Sequence, residues 1–282
     1  MQRLIAANRF IRMRREIISE SRALQRIPAI PCNSESLRRL TDKELSDVLN
    51  CLETLQEWTQ TEGYLTQACQ IADGKTPGVN PGDRRVLWYL VKGFGAAAVL
   101  EVGTNVGAST LHIAAALQSR ARRNALVGLR LVTVDTQDVN CAVSGDWKRY
   151  GLMAPPREMI QAMGCGDLVS FVTEKSLTYL DRCKDKFDLV FLDGDHSAPT
   201  VYQEIPRALN VLKKDGLILV HDYFPKNRPL WTDGAIVPGP CLAVARLLKE
   251  GTPIKVIPLG DLPWPTKPGS RKTSLALLTL DH

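Results

Sequence analysis

The chain has 282 residues, 44% of them hydrophobic, which allows one or two domains and a large core. No apolar run approaches the roughly 20 residues that span a bilayer, and a net charge of +6, from 36 basic and 30 acidic side chains, is too modest to require a polyanionic partner. The seven cysteines (Cys32, Cys51, Cys69, Cys141, Cys165, Cys183, Cys241) are scattered without a Cys-x-x-Cys pair, which argues against a zinc site or disulfide framework and for the cytoplasm.

In chain order, Met1 to Pro28 is basic: Arg3, Arg9, Arg12, Arg14, Arg15, Arg22 and Arg26 face only Glu16 and Glu20. Leu4, Ile5, Phe10, Ile11, Ile17 and Ile18 recur at about helical spacing, so an amphipathic helix is expected. A packing or dimerisation arm, a membrane-surface helix and an organellar targeting segment all fit it, the last least because of the two glutamates. A second helical stretch starts at Thr41, an N-cap ahead of Asp42 and Glu44. Asp73 to Gly82, with two prolines and three glycines, reads as a linker or a loop over a site. Residues 1–80 are therefore expected to be a helical N-terminal region, and 81–282 the ligand-binding domain.

From residue 84 strand-like and helix-like stretches alternate. The strands are Ala98–Val102, Leu129–Asp135, Leu168–Val172, Phe187–Asp193 and Gly216–His221; the helices between them are Ala108–Ser119, Pro156–Met163, Ser176–Cys183 and Thr200–Leu212. Pro206 is expected to kink or divide the last of these. A helix at Cys241–Lys249 and strands at Ile254–Pro258 and Ser274–Leu280 close the chain. This pattern predicts an α/β fold: a doubly wound, mostly parallel, seven-stranded Rossmann-like sheet with helices on both faces.

Ligands of such sheets sit beyond the carboxyl ends of the strands. The first strand ends in Glu101 and runs into Gly103 and Gly107 at the mouth of a helix, a turn where backbone can approach a ligand and free N–H groups can meet it. The spacing Glu-x-Gly-x-x-x-Gly lacks the middle glycine of the dinucleotide fingerprint. An acid in place of a tight phosphate loop favours a ligand carrying an amine, S-adenosylmethionine over NAD. Asp135 ends the second strand, placed to accept two ribose hydroxyls or to cap a turn. Ser176, after the third, is an N-cap or an adenine contact. Asp193-Gly194-Asp195-His196 ends the fourth strand and His221-Asp222-Tyr223 the fifth. Two carboxylates at adjacent strand ends repel unless a proton or a cation lies between them. All-oxygen ligands suit Mg²⁺, whereas a histidine favours Mn²⁺, Fe²⁺ or Zn²⁺. His196 and His221 are candidate ligands or general bases; the competing reading is that these groups only bind cofactor and cap strand ends.

Leu100-Glu-Val-Gly-Thr-Asn-Val-Gly-Ala-Ser-Thr110, Asp188-Leu-Val-Phe-Leu-Asp-Gly-Asp-His196 and Asp215-Gly-Leu-Ile-Leu-Val-His-Asp-Tyr223, in this order, resemble the class I S-adenosylmethionine-dependent methyltransferases. The branch is the catechol-O-methyltransferase-like group with an Asp-Gly-Asp-His motif. The resemblance covers about residues 84–282. It implies that Glu101, Gly103, Thr104, Asn105 and Gly107, with Ser109 just inside the helix, hold the methionine part of S-adenosyl-L-methionine, that Asp135 holds the ribose, and that Asp193 and Ser176 also contact the cofactor. It implies a divalent cation, Mg²⁺ or Mn²⁺, at Asp193 and Asp222. The partner of Asp222 falls on Tyr223, a poor ligand, which His221 can replace. The catalytic lysine of the branch falls on His196, so the base becomes an imidazole.

The implied reaction is methyl transfer to a hydroxyl of a small molecule (phenol, sugar or natural product), with an amine acceptor second. The loop Pro225–Pro240, with Trp231, is expected to line the acceptor pocket, and Trp147 and Tyr150 are weaker candidates. A non-catalytic cofactor-binding protein, an NAD or iron oxidoreductase and a nucleic-acid methyltransferase rank below, the last for want of an aromatic-interleaved basic patch. The basic arm is compatible with a homodimer.

Overall fold

A computed structural model describes residues 2–68, 78–123 and 128–281; side chains are described from residue 11 onward, without 67–68 and 122–123. The chain opens with the helix α1 (Gln2–Gln25), followed by α2 (Asp42–Leu49), α3 (Leu52–Ala68) and α4 (Pro81–Gly93). Thr41 starts α2 as expected, its hydroxyl accepting from Glu44 N–H at 3.2 Å while its own N–H donates to Glu44 Oε2 at 2.9 Å, a reciprocal capping box. Residues 73–77 of the expected linker lie outside the described residues. Its end is corrected: Pro81 and Gly82 already belong to α4, capped by Asn80, whose side chain accepts from Asp83 N–H. That helix is buried nearly all round, from Val86 through Val91, so it carries no amphipathic stripe.

Strand and helix then alternate: β1 (Ala98–Val102), α5 (Ala108–Arg123), β2 (Arg130–Asp135), the short α6 (Asp146–Arg149), α7 (Pro156–Ala162), β3 (Val169–Thr173), α8 (Ser176–Arg182), β4 (Phe187–Leu192), α9 (Ala198–Asn210) and β5 (Leu212–Val220). The chain closes with α10 (Gly239–Lys249), β6 (Ile254–Pro258) and β7 (Ala276–Leu280). Pro206 lies inside α9 without dividing it. The fifth strand begins at Leu212, where a continued helix was expected, and a register shift between Phe187 and Leu189 accommodates the extra length.

The seven strands form one sheet in the order β3-β2-β1-β4-β5-β7-β6, parallel except for the antiparallel β7. The order reverses between β1 and β4, where the chain leaves one half of the sheet for the other. Inner strands are apolar on both faces, the two-residue period sending alternate side chains to opposite layers. Leu189 and Phe191 of β4 join the core beneath α3, α4 and α5; Val190 and Leu192 join the one beneath α8, α9 and α10. No described helix is long and apolar enough to cross a membrane.

The C-terminal part of α1 docks on the second of these layers. Arg246 of α10 donates to the carbonyls of Leu24, at 2.5 Å, and Ile27, at 2.8 Å. Tyr202 of α9 accepts from Ile30 N–H and donates to Glu250. Arg246→Ala removes the donors that satisfy the end of α1; faster amide hydrogen exchange across residues 17–27, with unchanged exchange in β1 and β4, is the expected outcome.

Candidate active site

The carboxyl ends of β1, β2, β4 and β5 meet around a cavity of about 460 Å³. On one side is the turn after β1. Gly103 (φ 96°) and Gly107 (φ 80°) adopt left-handed backbone, as does Asn105 (φ 49°). A Cβ on Gly103 would stand 2.1 Å from the Asp193 carbonyl oxygen, and one on Gly107 2.8 Å from Pro156 Cβ. Both positions therefore require glycine for space as well as torsion. Asp135 holds the turn from below: its Oδ2 accepts from Thr104 N–H (3.1 Å) and Asn105 N–H (2.9 Å).

On the other side stands a cluster of acids and histidines. His221 Nδ1 is 2.7 Å from Asp193 Oδ1 and 3.6 Å from Asp222 Oδ1, while its Nε2 is 3.4 Å from Asp83 Oδ2. His196 Nε2 lies 3.8 Å from Asp193 Oδ1 and 3.6 Å from Asp222 Oδ2. Burial pushes the His221 pKa down, but the Asp193 and Asp222 carboxylates outweigh it and hold it well above the usual histidine range. The spot thus attracts positive charge. Asp222 sits in the left-handed region at φ 52°, a conformation that is uncommon outside glycine and that asparagine and aspartate tolerate best. Ser274 donates to its Oδ1 at 3.2 Å.

A family model described as a methyltransferase domain matches residues 100–223, the segment from the end of β1 to the far side of this cluster. The segment that carries the strand-end motifs is thus similar to a methyltransferase domain. Solved structures agree in fold. A putative O-methyltransferase from Klebsiella pneumoniae is 18% identical, with a TM-score of 0.52, over 86% of this chain and 92% of that one. An O-methyltransferase from Bacillus cereus in complex with SAH is 19% identical, with a TM-score of 0.51, over 86% and 96%. The O-methyltransferase TomG from Streptomyces achromogenes, involved in tomaymycin synthesis and solved with SAM, is 17% identical, with a TM-score of 0.50, over 86% and 92%. No curated protein matches the chain significantly.

Of the predicted cofactor contacts, Gly103, Asn105, Asp135, Ser176 and Asp193 line the cavity, together with His196, His221 and Asp222. Glu101, Thr104, Gly107 and Ser109 stand behind the wall. Glu101 is fully buried and accepts from the hydroxyls of Thr110 (2.5 Å) and Thr133 (2.6 Å), so it ties α5 and β2 to β1 beneath the turn. Trp147 belongs to the core, and Tyr150 is exposed. Trp231 does not reach the cavity wall and packs between Phe224 and the Lys267 ammonium.

Asp83, on α4, is the residue that sequence reasoning missed. It is wholly buried and approaches His221 from behind. Its one legible trace is an acid three residues after Asn80, which reads only as helix capping.

The cavity fits S-adenosylmethionine in its size, about 460 Å³, and in having the glycine turn and Asp135 on one wall. The cluster fits a divalent cation. One donor atom each from Asp193, His196 and His221 lies within 4.8 Å of the others. Both His221 ring nitrogens are buried yet make no hydrogen bond of good angle, with Nδ1 2.7 Å from Asp193 Oδ1.

Two outcomes follow from this geometry. Gly103→Ala drives a methyl into the Asp193 carbonyl; a loss of cofactor affinity of at least about a hundredfold is expected by calorimetry, alongside a lowered melting temperature. Burial raises the Glu101 pKa to about 7, against the lowering pull of the Ser109, Thr110 and Thr133 hydroxyls. The folded carboxyl therefore holds its proton more tightly than the unfolded one, and stability falls as pH rises from about 4.5 through about 7. This loss amounts to roughly 3 kcal/mol. Urea unfolding at pH 5 and pH 8 is expected to show that part of the decline vanish in Glu101→Gln.

Proposed function

We propose that the protein is an S-adenosylmethionine-dependent O-methyltransferase acting on a hydroxyl of a small molecule, a phenol, sugar or natural product. A divalent cation assists it, held by Asp193, Asp222 and His221, with His196 as the base. The observation that carries this reading is the sharing of one cavity by the glycine turn and the Asp193–His196–His221–Asp222 cluster. An amine acceptor needs no such help, and a binding protein without catalysis has no use for a base beside paired acids. The SAM- and SAH-bound neighbours of like fold support the same choice of cofactor.

Bound at the turn, S-adenosylmethionine supplies an electrophilic methyl group on a sulfonium. The cation supplies Lewis acidity that lowers the pKa of a neighbouring hydroxyl. Gly103 and Asn105 offer backbone to the methionine part, Asp135 can accept from the ribose once it releases the turn amides, and Ser176 lies at the adenine end. His196, about one-third exposed, is the cluster member most open to solvent and takes the acceptor proton on Nε2. Its backbone is fixed by α10: a Cβ on Gly239 would come within 1.9 Å of the His196 carbonyl oxygen. Asp193 and Asp222 would hold the cation and, 3.6–3.8 Å from His196 Nε2, stabilise the imidazolium formed there.

In this reading residues 81–282 are the catalytic domain, and residues 1–80 a helical arm that serves packing or homodimerisation. The six described cysteines are free thiols, which fits the cytoplasm as its compartment.

The test is methyl transfer to a panel of phenols, sugars and hydroxylated natural products, followed by detection of S-adenosylhomocysteine. His196→Ala is expected to lower kcat by about 10²–10⁴ while S-adenosylmethionine affinity stays within about threefold. A wild-type protein that binds no S-adenosylmethionine would sink the proposal.

A further inference from the structure

The two nitrogens of His221 have different neighbours, and the difference assigns each a role. Nε2 faces Asp83 Oδ2 at 3.4 Å. Asp83 is fully buried, and its own oxygens are engaged: Oδ1 accepts from the Thr273 hydroxyl and Oδ2 from the Asn80 amide, both at 2.6 Å. A carboxylate so held offers only acceptor capacity, so the nitrogen facing it carries the hydrogen. Nδ1, on the side of Asp193 Oδ1, 2.7 Å away, and Asp222 Oδ1, 3.6 Å away, is then the nitrogen that offers a lone pair once a cation displaces its proton. That resembles a metal-ligating histidine whose other ring nitrogen is backed by a second carboxylate, which fixes tautomer and ring orientation when the two hydrogen-bond; here the separation is 3.4 Å, without hydrogen-bond angle. Asp83 does not line the cofactor cavity.

The donor chemistry then decides which cation fits. A site of carboxylate oxygens suits the hard Mg²⁺, whereas imidazole nitrogen suits Zn²⁺, Fe²⁺ and other first-row ions. A second imidazole stands within reach, since His196 Nε2 lies 3.6–3.8 Å from the same two carboxylates. The ligand atoms of a tetrahedral ion with bonds of about 2.0–2.1 Å are spaced by about 3.3 Å, inside the 2.7–3.8 Å range of this cluster.

We propose that this site selects a borderline transition ion over Mg²⁺, with His221 Nδ1 as the selecting ligand beside Asp193 and Asp222, and with Asp83 as the positioning residue that sets the His221 tautomer. The inference rests on the metal-assisted reading above. It narrows the Mg²⁺ or Mn²⁺ expected from sequence resemblance to an ion that accepts nitrogen.

The experiment is calorimetric titration of the chelator-treated, full-length protein with Mg²⁺, Mn²⁺ and Zn²⁺. The absorption spectrum of the Co²⁺ form reports nitrogen ligation, and S-adenosylmethionine binding is measured on the same samples. The wild type is expected to prefer Zn²⁺ to Mg²⁺ strongly, and His221→Asp, with an all-carboxylate set at this position, to shrink that preference by about tenfold or more. Asp83→Asn is expected to weaken Zn²⁺ by about 10–100-fold and to alter the Co²⁺ spectrum. An equal Zn²⁺/Mg²⁺ ratio in the wild type and His221→Asp would overturn the inference. So would a wild type that binds S-adenosylmethionine but no transition ion. These wild-type arms and the His221 comparison stand even where Asp83→Asn does not fold. Loss of S-adenosylmethionine binding in the wild type would instead count against the methyltransferase reading, so the two failures are distinguishable.

Discussion

The close approach between the turn after β1 and the end of β4 is the constraint on which the site depends. Gly103 N–H donates to the Val134 carbonyl of β2, Asp193 N–H donates to the Val102 carbonyl of β1, and the Gly103 Cα lies against the Asp193 carbonyl with no room for a side chain. These contacts lock three strand ends at the point where strand order reverses. The turn, its Thr104 and Asn105 amides engaged by Asp135, then stands on one side of the reversal, and Asp193 with its histidine neighbours on the other. Ligands bound at the turn and at the cluster would face each other across this backbone junction. Positioning by backbone is stiffer than positioning by side chains, and much of the rate advantage of a two-substrate transfer comes from such positioning.

Around this point the chain buries an unusual amount of acid. Glu101 lies under the turn, Glu204 on the buried side of α9 and Asp83 behind His221, each essentially without exposure. Burial raises Glu101 and Glu204 to about 7, against the pull of the hydroxyls that bond to them. Such groups cost stability and are kept where they fix geometry. Glu101 joins two neighbouring elements through hydroxyls. Asp83 differs because it faces a histidine at the strand ends, so its charge is answered within the site.

The alternating half of the fold was legible because its signals are local. Buried parallel strands read as short apolar runs, and each ended in an informative residue: Glu101, Asp135, Asp193 and His221. The motif residues were therefore found at strand ends, five of the predicted cofactor contacts at the cavity wall and four behind it. The helix α4 was not legible. It is apolar on nearly every side, from Val86 to Val91, so it lacks the 3.6-residue stripe by which a half-buried helix announces itself. Its opening Pro81-Gly82 also mimics a loop, although proline is well suited to the first helical turn. With α4 unseen, Asp83 had no address, and a pairing with a histidine 138 positions later along the sequence leaves no local pattern at all. Glu101 shows the complementary error: an acid at the correct strand end whose side chain points beneath the turn, because Thr110 and Thr133 offer it hydroxyls there.

A long-range hydrogen bond also ties the N-terminal helix to this region. Glu20 of α1 accepts from Ala198 N–H at 2.6 Å. Ala198 opens α9, where unpaired amides and the helix dipole favour negative charge, and Ser197, just before it, follows His196 directly. Asp195 meets the neighbouring groups, accepting from Ser197 N–H and from the Ser197 and Thr200 hydroxyls. The segment that carries the imidazole is thus capped from within by Asp195 and from outside by the arm. Gly239 of α10 presses on its far side, while Arg246 of the same helix holds the end of α1. Arm, α10 and His196 loop form one mechanical unit. A change in how α1 packs would alter the satisfaction of the α9 amides first, and through them the placement of His196.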